Sequence, residues 1–167
     1  MIDEPVDDAG VQRFWEVYAA AACVGHNDFA VVRFGDGPDL ADELAAQVTG
    51  GFKRATSRLL RDFTDLGRAL PKPGDHGVFV DGKNSPCCII QTVQVDVRTI
   101  RDVDEDFAAY EGGGDGSLAW WRSAHWRYFR RQGIREGFEV DDDTEVVLER
   151  FDVVWPLALA DRRRASV

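Results

Sequence analysis

The chain has 167 residues, of which 44% are hydrophobic and 30% are charged, and its formal net charge is −10. This composition is typical of a folded globular domain with a sizeable core and excludes a disordered chain. No stretch approaches the roughly 18 apolar residues that span a bilayer, and the acidic start lacks a signal-peptide type of apolar run, so we expect a cytoplasmic protein with no membrane partner.

The first half of the chain predicts two helices and a strand. Residues 10–24 carry apolar side chains at amphipathic helical spacing, and residues 29–34 form an apolar, valine-rich run that ends in a turn. A helix over residues 38–50 follows, with Pro38 at its start and Leu40, Leu44 and Val48 along one face.

The second half predicts a sheet with further helices. Strands are expected at residues 78–80 and 87–97, where alternation over residues 92–97 indicates one buried and one wet face. Helices over residues 102–111 and 118–132 flank a glycine-rich segment, and a strand closes the fold. These elements, with the closing strand at residues 145–154, predict an α+β domain whose small mixed or closed sheet is flanked by helices.

The predicted domain organisation has three parts. Residues 1–28 carry a helix that packs on the domain, residues 29–155 form the domain, and residues 156–167 form a disordered tail. The three cysteines, Cys23, Cys87 and Cys88, lack CxxC spacing and are interpreted as small core residues.

Basic residues gather in two segments of this acidic chain. Residues 51–80 carry 6 basic and 3 acidic side chains, and residues 112–135 carry 5 and 1. If the two segments meet, they form a cationic cleft that suits one RNA strand or a small anion. The alternative is two solvated, salt-bridged faces.

Several motifs occur in an order that resembles a known family. Residues 51–56 read GFKRAT, a GxKxxT pattern with Gly51, Lys53 and Thr56, and residues 73–75 read PGD. Further matches are residues 103–108 with 111–115, the Trp121-Arg122 pair with His125, and residues 149–154. With these motifs the chain resembles the longer bacterial type of the ASCH domain family over about residues 29–155, which implies a PUA-like β-barrel flanked by helices.

The resemblance implies an RNA-associated domain with one of two hydrolytic activities. These are cleavage of single-stranded RNA and deacylation of N4-acylated cytidine, for which the implied catalytic residues are Lys53, Thr56 and Glu111. We expect cleavage of single-stranded RNA in a cationic cleft, with deacylation of a modified nucleoside and a non-catalytic RNA-binding module as alternatives. The predicted substrate-binding residues are Arg54, Arg58, Asp115, Trp121, Arg122 and His125.

The three catalytic candidates suit either reaction. In acyl transfer, Thr56 attacks the carbonyl while Lys53 accepts its proton and Glu111 orients the lysine. In RNA cleavage, Glu111 accepts the 2′-hydroxyl proton, Lys53 stabilises the phosphorane and Thr56 positions a phosphate. The structural alternative is a Lys53–Glu111 ion pair with Thr56 in a strand.

The helix over residues 118–132 interleaves aromatic residues with arginines. Trp121, His125 and Phe129 share one face, and Trp126 and Arg130 lie on another. One stripe is expected in the core, and the other is expected to stack on bases.

No grouping in the sequence shows a recognisable metal-ligand spacing, so no cofactor is predicted. A divalent ion held between Glu111, Asp115 and a substrate phosphate remains an open alternative.

Overall fold

The computed structural model describes residues 8–161, which fold into helices and one mixed β-sheet. The helices are α1 (Asp8–Ala22), α2 (Pro38–Thr49), α3 (Arg61–Thr64), α4 (Glu105–Glu111) and α5 (Leu118–Glu136). The strands are β1 (Ala30–Val32), β2 (Ala55–Leu59), β3 (His76–Val80), β4 (Pro86–Thr99) and β5 (Glu145–Trp155). A 3₁₀ turn at Ile100–Asp102 precedes α4. The predicted α+β class is confirmed.

The five strands form one sheet in the order β1-β3-β4-β5-β2. β1 runs parallel to β3, whereas β3 and β4, and likewise β2 and β5, pair antiparallel. In the β2–β5 pair, the register runs from Ala55 opposite Arg150 to Leu59 opposite Val146. Since side chains alternate across a strand, this register decides which residues of β2 share a face.

The described chain forms two compact units, each assembled from separate stretches of sequence. The first unit contains residues 8–52, 73–92 and 151–161, and the second contains residues 53–72 and 93–150. This division differs from the predicted boundaries because β4 and β5 each contribute residues to both units.

In the first unit, α1 covers the core as its spacing predicted. Val11, Trp15 and Tyr18 are buried in one cluster with Val78 and Val80 of β3. These three helix residues stand four and three positions apart, which places them on one side of an α-helix.

The helix α2 was predicted from the spacing of Leu40, Leu44 and Val48, and its buried face consists of small residues with Val48. Ala41, Ala45 and Val48 are buried, whereas Leu40 and Leu44 are half-buried at the edge of that face. Small alanines let the helix backbone lie close to the core, and the larger leucines flank the contact.

The core of the second unit joins β2, α4, α5 and β5. Its buried members are all apolar: Ala55, Leu59, Ile100, Val103, Phe107, Ala108, Trp121, Phe129, Val140, Val146 and Leu148. This packing holds the end of α4 and the first turns of α5 beside β2.

Two predictions of burial are wrong. Val93 and Val97 of β4 are 44% and 41% exposed, so the alternation there does not mark a buried face. Cys23 is exposed and Cys87 is half-buried, whereas Cys88 is buried as expected. Periodicity reports which side chains share a face and does not report which face other elements cover.

The predicted tail begins with ordered residues. Leu159 and Ala160 donate backbone hydrogen bonds to the Pro156 carbonyl, and the Asp161 carboxylate accepts one from the Val153 backbone N–H. The rest of the predicted tail, residues 162–167, lies outside the described residues, as does most of the acidic start.

A candidate site centred on a buried carboxylate

Glu111 occupies the last position of α4 and is almost fully buried. The helix begins at an Asp104 cap, whose carboxylate accepts a hydrogen bond from the Phe107 N–H, and it ends at Gly112 in the left-handed conformation. Phe107 and Ala108 anchor it in the core. The local sequence therefore fixes the position of the Glu111 side chain to within one helical turn.

Four side chains converge on the Glu111 carboxylate. Oε1 lies 3.2 Å from Lys53 Nζ and 3.2 Å from His125 Nε2. Oε2 lies 3.0 Å from Ser57 Oγ and 2.5 Å from Trp121 Nε1. The Ser57 backbone N–H also donates to Oε1 over 3.2 Å. A buried carboxylate requires such donors, because the charge would otherwise be unpaired away from water.

The surrounding donors keep Glu111 ionised. Burial by itself would raise the pKa of the Glu111 carboxyl, but the charges of Lys53 and His125 and the hydrogen bonds from His125 and Trp121 hold that pKa well below its ordinary value of 4.5. A carboxylate with so low a pKa is a weak proton acceptor. Its geometry instead suits it to orient the groups that contact it.

β2 and the residues before it bring Lys53 and Ser57 to Glu111. The Arg54 N–H donates to the Tyr110 carbonyl over 2.8 Å, and Arg54 Nη1 donates to the Lys53 carbonyl. These contacts tie the segment before β2 to the end of α4. Arg54, predicted to bind substrate, thus contacts the backbone that positions Lys53.

Thr56 and Arg58 lie on the opposite face of β2 from Ser57. The β2–β5 register is regular from Ala55 to Leu59, so successive side chains alternate. Ser57 contacts Glu111, and its two neighbours therefore point away from that carboxylate. Thr56 is buried at 8% exposure on its own face. The structure thus joins Lys53 and Glu111 and leaves the third implied catalytic residue on the other side of the strand.

Trp121 and His125 reach the site from successive turns of α5. Ser117 caps this helix by accepting the Trp120 N–H, and the Trp121 and His125 rings stack with centroids 4.3 Å apart. Trp121 is only 1% exposed, and its role in binding substrate stays a prediction. Its indole is a buried donor to Glu111.

His125 is placed between two acceptors. Nδ1 lies 2.9 Å from the Trp121 carbonyl oxygen, and Nε2 lies 3.2 Å from Glu111 Oε1. Both contacts are hydrogen bonds only when each ring nitrogen carries a proton, which is the imidazolium form. The His125 side chain is 17% exposed, against 5% for Lys53 and 6% for Glu111. His125 is therefore the titratable group of this cluster most open to solvent.

Asp115 and Arg122 contact groups outside the Glu111 cluster. The Asp115 carboxylate accepts the Ser117 N–H before α5, and hydrogen bonds from Ser117 lower its pKa. Arg122 Nη2 donates to the Arg101 carbonyl over 2.9 Å. Among the described residues, no contact links either side chain to Glu111.

Ser57 was not among the site residues predicted from the sequence. A signal was present: in an extended segment, Lys53, Ala55 and Ser57 share one face, whereas Thr56 falls on the other. A strand at Thr56 was considered only within the structural alternative, so this alternation was not applied to the choice of catalytic residues.

Residues 8–161, which the structure describes, contain neither a metal-ligand group nor a membrane-spanning helix. No group of three or more histidine, cysteine, aspartate or glutamate side chains is arranged to hold a metal ion. No helix in this part of the chain is long and apolar enough to cross a membrane.

Similarity to known proteins agrees with the α+β fold. A sequence model of the ASCH domain matches residues 30–155. The crystal structure of the ASCH domain from Lactobacillus crispatus JV V101 is similar with a TM-score of 0.82 and 32% identity, covering 92% of this chain and 99% of that one. A crystal structure of a protein from Enterococcus faecalis V583 gives a TM-score of 0.81 and 28% identity, covering 87% and 88%. No curated protein matches the sequence.

The fold is thus that of an α+β domain of the PUA-like class, as predicted. The chain belongs to the ASCH domain family, a family whose domains generally bind RNA.

Proposed function

We propose that this protein binds single-stranded RNA and cleaves it at the Glu111 cluster. The observation that carries the proposal is the convergence of Lys53, Ser57, Trp121 and His125 on one buried carboxylate, with His125 at the open edge. With His125 as imidazolium, the two cations outweigh the one anion. The cluster then attracts a phosphate group.

The chemistry follows from these positions. In RNA cleavage, the 2′-oxygen attacks phosphorus and loses its proton to water, while the bond from phosphorus to the 5′-oxygen breaks. The His125 imidazolium donates the proton that the 5′-oxygen gains and recovers one from solvent. Its charge also stabilises the phosphorane. Glu111 orients His125, and Lys53 balances the Glu111 charge so that the phosphate is not repelled.

One contact favours a second candidate, deacylation of an N4-acylated cytidine. Ser57 Oγ lies 3.0 Å from Glu111 Oε2, so the carboxylate orients a hydroxyl of the type that acts as the nucleophile in acyl transfer. Ser57 Oγ would attack the amide carbonyl, the C–N bond would break with the cytidine amine taking up the hydroxyl proton, and water would then hydrolyse the acyl-Ser57 ester to the free acid. Ser57 takes here the role that the family resemblance assigns to Thr56.

The test compares two substrates and two histidine variants. Wild type, His125→Gln and His26→Gln are each incubated with labelled single-stranded RNA and with N4-acetylcytidine, with and without a divalent metal ion. His26 is an exposed histidine of the first unit and serves as the matched control. We expect RNA cleavage to fall at least about 100-fold in His125→Gln, the usual contribution of one acid or base, and to persist in His26→Gln.

Other outcomes would change the proposal. Deacetylation without RNA cleavage would establish the second candidate. RNA binding with no turnover of either substrate would leave a binding module, and equal cleavage by wild type and His125→Gln would exclude His125 as the proton donor. Thermal unfolding of each variant separates lost chemistry from lost fold.

A further inference from the structure

A second feature of α5 is a pocket beside the glutamate-centred cluster. Its volume is about 340 Å³, within the range of small-ligand sites. It belongs entirely to the second unit. The lining residues are Ile100, Arg122, Ser123, Trp126, Arg127 and Asp142.

The two arginines of this pocket contact carbonyl oxygens. Arg122 Nη2 donates to the Arg101 carbonyl over 2.9 Å, and Arg127 Nε donates to the Ser123 carbonyl over 3.2 Å. In the described part of the chain, neither guanidinium lies within ion-pair distance of a carboxylate. Both charges therefore remain available to an anion at the pocket.

Other surface arginines nearby are neutralised. Arg101 pairs with Asp143, and Arg135 pairs with Glu136. Within residues 8–161, Arg101 and Arg135 are paired with carboxylates, whereas Arg122 and Arg127 are not. The positive charge at the pocket therefore depends on which arginines lack a carboxylate neighbour, and not only on the number of arginines.

Trp126 gives the pocket an aromatic wall. Its indole packs on the core of the second unit, and the Arg130 guanidinium lies 5.0 Å from the ring centroid. A base can stack on an indole or on an arginine plane, and Ile100 adds an apolar surface. An aromatic wall beside two unneutralised cations matches a base with its phosphates.

We propose that this pocket holds one nucleotide of a single-stranded RNA, with its base against Trp126 and Ile100 and its flanking phosphates on Arg122 and Arg127. The Asp142 carboxylate accepts a hydrogen bond from the exocyclic amine of the base, which cytosine has and uracil lacks. The RNA-binding part of the proposed function is the premise of this inference.

The helix connects the pocket to the catalytic candidates. Arg122 follows Trp121 and Trp126 follows His125, so the two sets of side chains leave α5 about 100° apart. A strand held in the pocket therefore runs beside His125, where a neighbouring phosphate meets the Glu111 cluster.

The test measures RNA binding by fluorescence anisotropy over a series of salt concentrations. The probes are labelled oligocytidylate and oligouridylate, and the test variant is Arg122→Gln/Arg127→Gln. The matched control is Arg131→Gln/Arg135→Gln, which removes the same charge from the same helix outside the pocket. We expect the test variant to bind oligocytidylate about tenfold more weakly than the control does. The salt slope should fall by about 1.4 from the wild-type value, because each phosphate contact of a single strand contributes about 0.7.

The base preference provides a second measurement. Asp142→Asn should reduce the preference for oligocytidylate over oligouridylate, since an amide can present a donor where the carboxylate only accepts. An equal loss of RNA affinity in both double variants would show that the effect comes from net charge, and would overturn the proposed role of the pocket. If Arg122→Gln/Arg127→Gln binds RNA as tightly as wild type, the proposed role of the pocket is overturned, whereas the proposed RNA binding of the protein is not. No binding by wild type at any salt concentration would overturn the proposed function together with the pocket.

Discussion

At the scale of single residues, two adjacent hydroxyls have different surroundings. Ser57 Oγ lies within hydrogen-bond distance of both Glu111 oxygens, whereas Thr56 lies on the other face of β2. The difference arises from the period of two along a strand. Family resemblance identifies the strand segment, and the strand geometry identifies the hydroxyl that faces the carboxylate.

Ser57→Ala should therefore destabilise the protein by about 1.5–3 kcal/mol, the usual contribution of a hydrogen bond to a charged group. The measurement is chemical denaturation followed by far-UV circular dichroism. Thr56→Val, nearly isosteric and one residue away, is the control for loss of a buried hydroxyl. If Thr56→Val loses more stability and more turnover than Ser57→Ala does, the catalytic hydroxyl is that of Thr56.

At the scale of elements, the ends of α4 and α5 determine where the site residues stand. α4 ends at Gly112 with φ 76°, and α5 ends at Gly137 with φ 79°. Both glycines adopt the left-handed conformation that side chains with a Cβ disfavour. The end of α4 directly follows Glu111, whereas the end of α5 lies three turns beyond His125.

Gly112→Ala and Gly137→Ala should each lower the free energy of unfolding by about 1–2 kcal/mol, the cost of a Cβ in this conformation. Only Gly112→Ala should also reduce turnover, because it shifts the helix end that carries Glu111. Parallel unfolding and activity assays measure both effects. Comparable activity loss in the two variants would show that general destabilisation, rather than displacement of Glu111, limits the reaction.

At the scale of the whole molecule, the charge distribution combines a net charge of −10 with a localised basic region. The basic residues of both segments, from Lys53 to Lys72 and from Arg122 to Arg135, belong to the second unit. Within this unit, Lys53 of the first segment and His125 of the second share a Glu111 oxygen.

Acid stability of the whole molecule should depend on Glu111. Because the donors lower its folded-state pKa below 4.5, the unfolded chain binds the proton more readily than the folded one. The stabilisation is fully present above about pH 4.5 and is lost as the pH falls below that value. In Glu111→Gln, the free energy of unfolding should be lower by about 3–5 kcal/mol at neutral pH, because the buried Lys53 loses its ion pair with the carboxylate.

The same variant should show a shallower decline between pH 5 and pH 3 in thermal unfolding scans. Asp115→Asn is the control, since this exposed carboxylate also has a lowered pKa. An identical acid profile for Glu111→Gln and wild type would mean that other carboxyl groups determine the acid transition.

Local sequence determined most of the elements. Apolar spacing predicted α1, and Pro38 marked the start of α2. Glu111 was placed correctly at the end of its helix. These features depend on interactions within a few residues, so the chain order is sufficient to predict them. The family resemblance added Lys53 and Glu111 as a pair, although 58 positions separate them.

Only the tertiary structure decided which faces are covered and which groups meet. It buried Trp121 against Glu111, exposed Val93 and Val97, and placed Ser57 rather than Thr56 at the carboxylate. The spacing of apolar residues along the sequence predicts which side chains share a face. Whether that face is buried depends on which distant element packs against it. The Glu111 carboxylate at the end of α4 is an ionised centre because residues 53–57 and α5 bring donors from two other parts of the sequence to one buried point.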